Sequence, residues 1–207
     1  NTLCTLYIDY AEVYDNDGWN NYIEFPGLVA TQITNYVQRY SDWDNIIYWY
    51  GKDEPCTIDA FSPMRIVDSL VQAAGGAPLI TEFYPYWSFN NTINGDTLIR
   101  KFVELAKPEK LMIDVYPFGP DVSRLPIALE SLRSKFQEAH SLQPNFWYVG
   151  QAYGWQLPDE SWCVWRLPDS TELKASVMLA LAHGVKGLIL TKFVSEGPFT
   201  RLPCIDY

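Results

Sequence analysis

Residues 48–55 read Tyr48-Trp49-Tyr50-Gly51-Lys52-Asp53-Glu54-Pro55, an aromatic run that ends in two adjacent acids and a proline. The apolar run predicts a buried strand. In proteins built from βα units, the groups just past the C-terminal ends of the strands face the ligand. A pair of carboxylates at this position indicates acid–base chemistry. The surrounding aromatic rings favour a ligand with flat faces, such as a sugar.

Similar apolar runs recur on both sides of this stretch. Each is short and apolar nearly throughout, which is typical of a strand buried on both faces of a parallel sheet. The predicted strands are Thr2–Asp9, Asn45–Tyr50, Pro78–Glu82, Leu111–Val115, Phe146–Gly150 and Val185–Thr191. Apolar residues at steps of three and four predict helices between them, at 27–40, 63–74, 96–107, 123–140 and 171–183.

Several helix ends carry capping signals. Ser62-Pro63 predicts an N-cap followed by proline at the first helical position. Asp96 is predicted to cap the next helix, and Asp169 with Glu172 has the spacing of a capping box. Gly75-Gly76 and Gly184 are predicted to end helices.

The alternation of strands and helices leaves two architectures, an open doubly wound sheet or a closed (β/α) barrel. The glycine pair Gly75-Gly76 precedes a strand, on the wrong side of the sheet for phosphate, which counts against a nucleotide site. Every predicted strand ends in polar groups, as at a barrel mouth. They are Asp9, Asp53 with Glu54, Glu82, Asp114, Gln151 and Lys192. We therefore predict one α/β domain over residues 1–207, a TIM-type (β/α) barrel with about six βα units that lacks its N-terminal part.

Composition excludes several partner classes. The net charge of −10 argues against nucleic acid and against docking on anionic lipid. No apolar run is long enough to span a bilayer. Aromatic residues reach 15%, which suits a protein that stacks rings against sugars, although most of these rings are expected in the core.

The four cysteines, Cys4, Cys56, Cys163 and Cys204, show no spacing typical of a zinc site. Two disulfides are possible, with three alternative pairings. Asn90-Asn91-Thr92 is an N-glycosylation sequon. The even cysteine count and the sequon together favour a secreted or extracellular protein. No cofactor and no metal are predicted.

Residues 50–55, Tyr50-Gly51-Lys52-Asp53-Glu54-Pro55, resemble the fourth-strand motif of the clan A barrel glycoside hydrolases, in which Asn-Glu-Pro carries the general acid/base. The segment Trp165-Arg166-Leu167-Pro168 and the run from Thr171 to Leu188 are similar to the closing part of such barrels. The resemblance spans roughly residues 46 to 192. It implies that Glu54 is the general acid/base and that the predicted strands are the third to the eighth of a full barrel. Because adjacent acids repel, Asp53 is expected to be the charged neighbour of Glu54 or to bond a substrate hydroxyl.

Two residues depart from this pattern. Asp53 stands where the family has Asn. Gln151 ends the predicted seventh strand, where the retaining enzymes of the clan place their nucleophilic Glu, and an amide cannot form the glycosyl ester. Asp114 or Glu82 could supply the second carboxylate, the mechanism could be inverting or substrate-assisted, or the site could bind a glycan without cleaving it.

The remaining candidates are residues of the predicted strand ends and loops. Glu54, Asp53 and Asp114 are the candidate catalytic groups, with Glu54 expected to hold a proton because neighbouring acids repel. The candidate substrate-binding residues are Glu82, Gln151, Tyr116, Tyr153, Trp155 and Trp87. Arg166 is expected to pair with a site carboxylate or, more simply, with a nearby loop acid such as Asp169.

The predicted function is a glycoside hydrolase-like protein that acts on an oligo- or polysaccharide. The alternative is a catalytically inactive barrel that serves as a glycan-binding or structural extracellular protein. A barrel lyase or isomerase is a weaker third possibility. The sugar, the linkage and the oligomeric state are left open.

Overall fold

The structure is a computed structural model of the 207-residue chain and describes residues 26–55, 58–85, 95–155, 165–191 and 200–201. Several predictions lie outside the described residues: the strand Thr2–Asp9, the four cysteines, the sequon at Asn90, Trp87 and Lys192. Within the described part, no helix is long and apolar enough to cross a membrane.

Five parallel strands form the central sheet. They are β1 (Trp49–Tyr50), β2 (Leu79–Phe83), β3 (Leu111–Val115), β4 (Trp147–Gln151) and β6 (Gly187–Thr191). Two further strands, β5 (Gly154–Trp155) and β7 (Thr200–Arg201), pair antiparallel with each other.

The order of the parallel sheet is β1-β2-β3-β4-β6, so each of these strands pairs with the next parallel strand along the chain. A doubly wound sheet reverses its strand order at a switch point, and this sheet does not. The described part is therefore an α/β half-barrel, as the regular βα alternation predicts. Five of the six predicted strands are confirmed, and the sixth falls on residues 2–9, outside the described residues.

Within the described residues, five helices lie between or before the strands. They are α1 (Pro26–Arg39), α2 (Phe61–Ala73), α3 (Gly95–Ala106), α4 (Leu125–Leu142) and α5 (Ser170–Ala182). Each packs against the next helix along the chain from α1 to α5. All five predicted helices are confirmed within about two residues at each end.

The core lies between the helices and one face of the sheet. Phe83, Ile113 and Tyr148 from β2, β3 and β4 are fully buried there against Phe102 of α3 and Phe136 of α4. Because successive side chains of a strand point to opposite faces, the residues beside these apolar ones point away from the helices. This alternation places Glu82 and Asp114 on the inner face of the half-barrel.

The helix ends confirm three of the predicted signals. Gly75 and Gly184 follow helices with positive φ angles of 87° and 83°, a conformation that glycine adopts at little cost. At the start of α5, Asp169 accepts bonds from the backbone N–H groups of Thr171 (2.7 Å) and Glu172 (2.8 Å), while Glu172 Oε2 accepts from the Asp169 N–H (3.0 Å). This is the predicted capping box.

The prediction that Ser62 caps a helix is wrong. A 3₁₀ turn over Ile58–Ala60 leads directly into α2, whose first residue is Phe61 and whose N-cap is Ala60 without a side-chain cap bond. Ser62 and Pro63 therefore lie inside the first turn, where a proline is still tolerated because the early N–H groups have no intrahelical partner. Asp96 likewise lies inside α3, which begins at Gly95.

Arg166 pairs with Glu172, and neither Asp169 nor a site carboxylate bonds its guanidinium among the described contacts. Its two terminal nitrogens lie 2.6 Å and 2.5 Å from the two Glu172 oxygens, a bidentate pair with both side chains largely shielded from solvent. Because the same Glu172 completes the capping box, one carboxylate ties the loop before α5 to the start of that helix.

This pair predicts a pH-dependent contribution to stability. The bonds from Arg166 hold the pKa of Glu172 below its usual value. A carboxyl with a lowered folded pKa stabilises the fold above its unfolded pKa, and the contribution is lost as the pH falls through the folded pKa. Glu172→Gln should therefore lower the free energy of unfolding at pH 7 by about 1.5–3 kcal/mol. The deficit relative to wild type should shrink below about pH 4.

The measurement is urea denaturation at pH 7 and at acidic pH. Glu130→Gln is the matched control, because Glu130 also pairs with an arginine, Arg133, but in an exposed position. It should change stability little at either pH. A Glu172→Gln deficit that stays constant with pH would contradict the proposed charge effect.

Candidate functional site

The end of β1 carries the acid pair alongside β2. The backbone N–H of Gly51 donates to the Ile80 carbonyl at 2.7 Å, which continues the pairing beyond Tyr50. A Cβ on Gly51 would lie 2.8 Å from Thr81 Oγ1, so a larger residue would force the buried Thr81 side chain to shift. Because Gly51 allows the two backbones to approach closely, Asp53 and Glu54 lie next to β2.

Glu54 is held in an uncommon backbone conformation. Its φ angle is +38°, in the left-handed region, which costs a residue other than glycine about 1–2 kcal/mol. Its N–H donates to the Glu82 carbonyl at 3.0 Å, which fixes this conformation against β2. Strained residues of this kind concentrate at functional sites, so the outlier marks Glu54 as a candidate independently of its charge.

Three carboxyl groups converge on the inner face of the half-barrel. Glu54 follows β1, Glu82 lies in β2 and Asp114 lies in β3, and one oxygen of each lies within 4.8 Å of one oxygen of the others. Sequence reasoning named all three as separate candidates. The register of three neighbouring strands brings them into one cluster, which we call the carboxylate cluster.

Two tyrosine hydroxyls hold Glu82 in place. Tyr116 donates to Glu82 Oε1 at 2.9 Å. The Tyr50 hydroxyl lies 3.1 Å from Glu82 Oε2 and 2.7 Å from Asp53 Oδ1, and its single proton can serve one of them at a time. Asp53 is therefore linked to the cluster through Tyr50, although its own side chain is exposed.

Burial dominates the electrostatics of the cluster. Asp114 is fully buried, and neither of its carboxylate oxygens has a hydrogen-bond partner among the described residues. Burial, followed by the neighbouring Glu54 and Glu82, raises the pKa of Asp114 well above its usual value. Burial also raises the pKa of Glu82, against the opposing effect of the bonds from Tyr116 and Tyr50. The expectation that Glu54 itself holds a proton stays a prediction.

Aromatic side chains line the cluster on one side. Tyr116 contacts Tyr84 (6.4 Å between ring centroids), Tyr153 (5.6 Å) and Trp165 (5.5 Å), and Tyr153 in turn lies 5.9 Å from Trp165. Burial and then the charge of Glu54 raise the pKa of Tyr153, which places this hydroxyl within the influence of the cluster. The predicted residues Tyr116 and Tyr153 thus lie beside the acids.

Gln151 at the end of β4 is fully buried, and its side-chain amide forms hydrogen bonds with backbone groups. Its Oε1 accepts from the Phe118 N–H at 2.9 Å, and its Nε2 lies within bonding distance of the carbonyls of Phe118 (3.2 Å), Tyr153 (3.1 Å) and Arg166 (2.9 Å). These bonds join the loops after β3 and β4 to the segment before α5. They account for Gln151 without a ligand, and its predicted role in substrate binding stays a prediction.

Three residues of the site were not predicted: Tyr50, Tyr84 and Trp165. Tyr50 stands directly before the acid motif, but a ring at the end of an apolar run has the pattern of a core residue. Tyr84 and Trp165 also have the pattern of core residues, since each lies in an aromatic-rich segment. Two predicted stacking residues are left open, because Trp87 and the side chain of Trp155 lie outside what the structure describes.

Comparisons with known proteins do not assign a family. No protein-family model and no curated protein matches the chain. Among solved structures, the chain is similar to a protein of Bacteroides thetaiotaomicron that is provisionally described as an alpha-L-fucosidase. The two are 12% identical with a TM-score of 0.49, over 78% of this chain and 51% of that one. The chain thus spans about half the length of that protein, and a likeness this distant leaves function to be argued from the site itself.

Proposed function

We propose that this protein is a carbohydrate-active, glycoside hydrolase-like protein whose site is the carboxylate cluster of Glu54, Glu82 and Asp114. The observation that carries the proposal is the convergence of these three groups from three neighbouring strands, with oxygens within 4.8 Å of one another. Glycoside hydrolysis uses a pair of carboxyl groups on either side of the scissile bond. The cluster supplies such a pair even though Gln151 replaces the acid expected at the end of β4.

The proposed chemical roles follow from exposure and hydrogen bonding. Glu54 is partly exposed at a strand end and acts as the general acid/base. Glu82, oriented by Tyr116 and Tyr50, acts as the nucleophile. Retaining enzymes hold the two carboxyls about 5–5.5 Å apart, whereas inverting enzymes need about 6.5–9.5 Å to fit a water. One oxygen of Glu54 lies within 4.8 Å of one oxygen of Glu82, which is nearer to the retaining than to the inverting arrangement, so we propose a double displacement.

In the first step, the Glu82 carboxylate attacks the anomeric carbon while the Glu54 carboxyl gives its proton to the leaving oxygen. In the second step, Glu54 takes a proton from the water that cleaves the glycosyl ester of Glu82. Asp114 lies beside both groups, and Asp53 is linked to Glu82 only through Tyr50. We propose positioning roles for these two acids.

The surroundings support a sugar as the ligand. Tyr84, Tyr116, Tyr153 and Trp165 place flat rings beside acceptor groups, which suits both the apolar face and the hydroxyls of a pyranose. The net charge of −10 disfavours a polyanionic substrate. An oligo- or polysaccharide is the proposed partner. We also propose that the protein is secreted.

A second candidate function is glycan binding without cleavage. It is favoured by Gln151, which stands where the resembled enzymes have their nucleophile and whose amide is engaged by backbone groups. Under this alternative the carboxylate cluster would accept hydrogen bonds from sugar hydroxyls, and no glycosyl ester would form.

The test is a screen of the full chain against a panel of oligosaccharides, scored in parallel for released sugar and for binding. Hydrolysis of one or more members supports the enzyme. Binding without release on prolonged incubation supports the second candidate. Neither release nor binding across α- and β-linked neutral panels would contradict both.

A further inference from the structure

We propose that Glu54, Glu82 and Asp114 form a binding site for a divalent cation of the calcium class. The spacing of the cysteines and histidines does not predict such a site, because its ligands are carboxylates. Two strands and the loop after a third bring these carboxylates together on folding. Carboxylate oxygens are the ligands that hard cations prefer. The site uses one oxygen from each residue, and water would complete the coordination.

The spacing of the oxygens suits a calcium-sized ion. Calcium lies about 2.3–2.6 Å from its ligands, so two ligands of one ion can be up to about 5 Å apart. Magnesium lies about 2.0–2.1 Å from its ligands, which limits the separation to about 4 Å. The three oxygens lie within 4.8 Å of one another. This span falls within the calcium limit, and small side-chain adjustments would bring all three oxygens within about 2.6 Å of one ion.

Asp114 supplies the independent observation. It is fully buried, it lies in the cluster, and neither of its oxygens has a hydrogen-bond partner among the described residues. Leaving a buried carboxylate without a partner is costly, and buried charges in proteins are normally paired or coordinate a metal. A cation at the centre of the cluster would satisfy this group.

Glu82 is prepared for the same role. Tyr116 and Tyr50 contact its two oxygens and hold the carboxylate in one orientation before any ion arrives. Hydrogen-bonded partners behind a ligating carboxylate fix its direction and strengthen metal binding. The cation site is thus built from one fully buried ligand, one ligand held by hydrogen bonds and one partly exposed ligand, Glu54.

Cation binding at the cluster does not require that the protein hydrolyse glycans. The two are connected in one respect, since the same oxygens cannot hold a cation and attack a sugar at once. A calcium ion in the cluster should therefore inhibit hydrolysis in competition with the glycan.

The test uses terbium, a luminescent ion with calcium-like ligand preferences, added to the full chain in the absence of any sugar. Tyr116, Tyr153 and Trp165 lie beside the cluster and should sensitise its emission. We expect emission that saturates at one ion per chain and is displaced by calcium at lower concentration than by magnesium. Asp114→Asn should raise the terbium Kd at least about tenfold, because the charge of the ligand set tunes affinity.

Two further variants keep the test decisive. Glu54→Gln alters a partly exposed ligand and should weaken terbium binding even where Asp114→Asn disturbs folding. Glu104→Gln, on the exposed face of α3, is the control for ions held by surface charge and should leave binding unchanged. Circular dichroism reports whether each variant is folded. The proposal would be overturned if the protein gave no sensitised terbium emission, or if the terbium Kd were unchanged in both site variants. Either result would count whatever the hydrolysis screen shows.

Discussion

Glu54→Gln lowers glycan hydrolysis by about 10²- to 10⁴-fold, the usual contribution of a general acid/base. The amide keeps the size of the side chain but cannot deliver a proton to the leaving oxygen. Glu54 is partly exposed and lies in a loop, so the fold should persist. The measurement is the rate of sugar release on whichever substrate the screen identifies, at matched protein concentration.

A better leaving group should partly rescue this variant. An aryl glycoside needs less protonation of its leaving oxygen, so the loss for Glu54→Gln should be smaller on it than on a natural glycan. A merely structural role for Glu54 would give equal losses on both substrates. Glu104→Gln, an exposed carboxylate on α3, serves as the matched control and should retain wild-type rates. Undiminished turnover by Glu54→Gln would rule out the assigned role.

Phe102→Ala lowers the free energy of unfolding by about 3–5 kcal/mol, a large part of the roughly 5–15 kcal/mol that holds a domain together. Phe102 is fully buried in α3, stacked on Phe83 with ring centroids 4.4 Å apart and meeting Phe61 edge-on at 5.2 Å. Truncation removes both contacts and leaves a cavity between α2, α3 and β2. Because Phe83 follows Glu82 in β2, the same change should loosen the site.

Equilibrium urea denaturation followed by circular dichroism measures this loss. Phe102→Leu should cost less than Phe102→Ala, because it fills part of the cavity. Ile127→Ala, at a side chain that is 69% exposed on α4, is the control and should alter stability little. A loss below about 1 kcal/mol for Phe102→Ala would mean that this aromatic cluster is not the packed core described above.

The fold was largely predictable because its strands are bounded by clear changes in residue type. The predicted range Leu111–Val115 is also the observed range of β3, where a short apolar run lies between Lys110 and Tyr116-Pro117. In contrast, the predicted strand Asn45–Tyr50 is reduced to Trp49–Tyr50, because the ladder with β2 begins only at Trp49. Pairing depends on a neighbouring strand, which local composition does not reveal.

The start of α2 shows a second limit. Ser62-Pro63 has the composition of a helix start, yet the chain enters the helix through a 3₁₀ turn at Ile58–Ala60. Serine and proline are both accepted within a first helical turn, so their presence fixes the start only to within a few residues. The helix begins at Phe61, whose side chain is fully buried. This burial depends on tertiary contacts, which the local sequence does not reveal.

The members of the site were predictable one by one, but their geometry was not. Glu54, Glu82 and Asp114 each follow or end an apolar run, and this position marked them as candidates. Their approach to within 4.8 Å depends on strand register and on the positive φ of Glu54. The hydroxyls of Tyr50 and Tyr116 reach Glu82 across strands, and Gln151 bonds backbone groups of three separate residues. Such contacts arise only on folding.

The central claim is that Glu82 and Glu54 act on a sugar at the carboxylate cluster. A 2-deoxy-2-fluoro glycoside with a good leaving group, matched to the sugar found in the screen, slows breakdown of the glycosyl ester and allows peptide mapping by mass spectrometry. We predict one label per chain, on Glu82 within β2, and none in the Glu82→Gln variant. A label on another carboxylate, or catalytic turnover of the natural glycan with no label at all, would contradict the account.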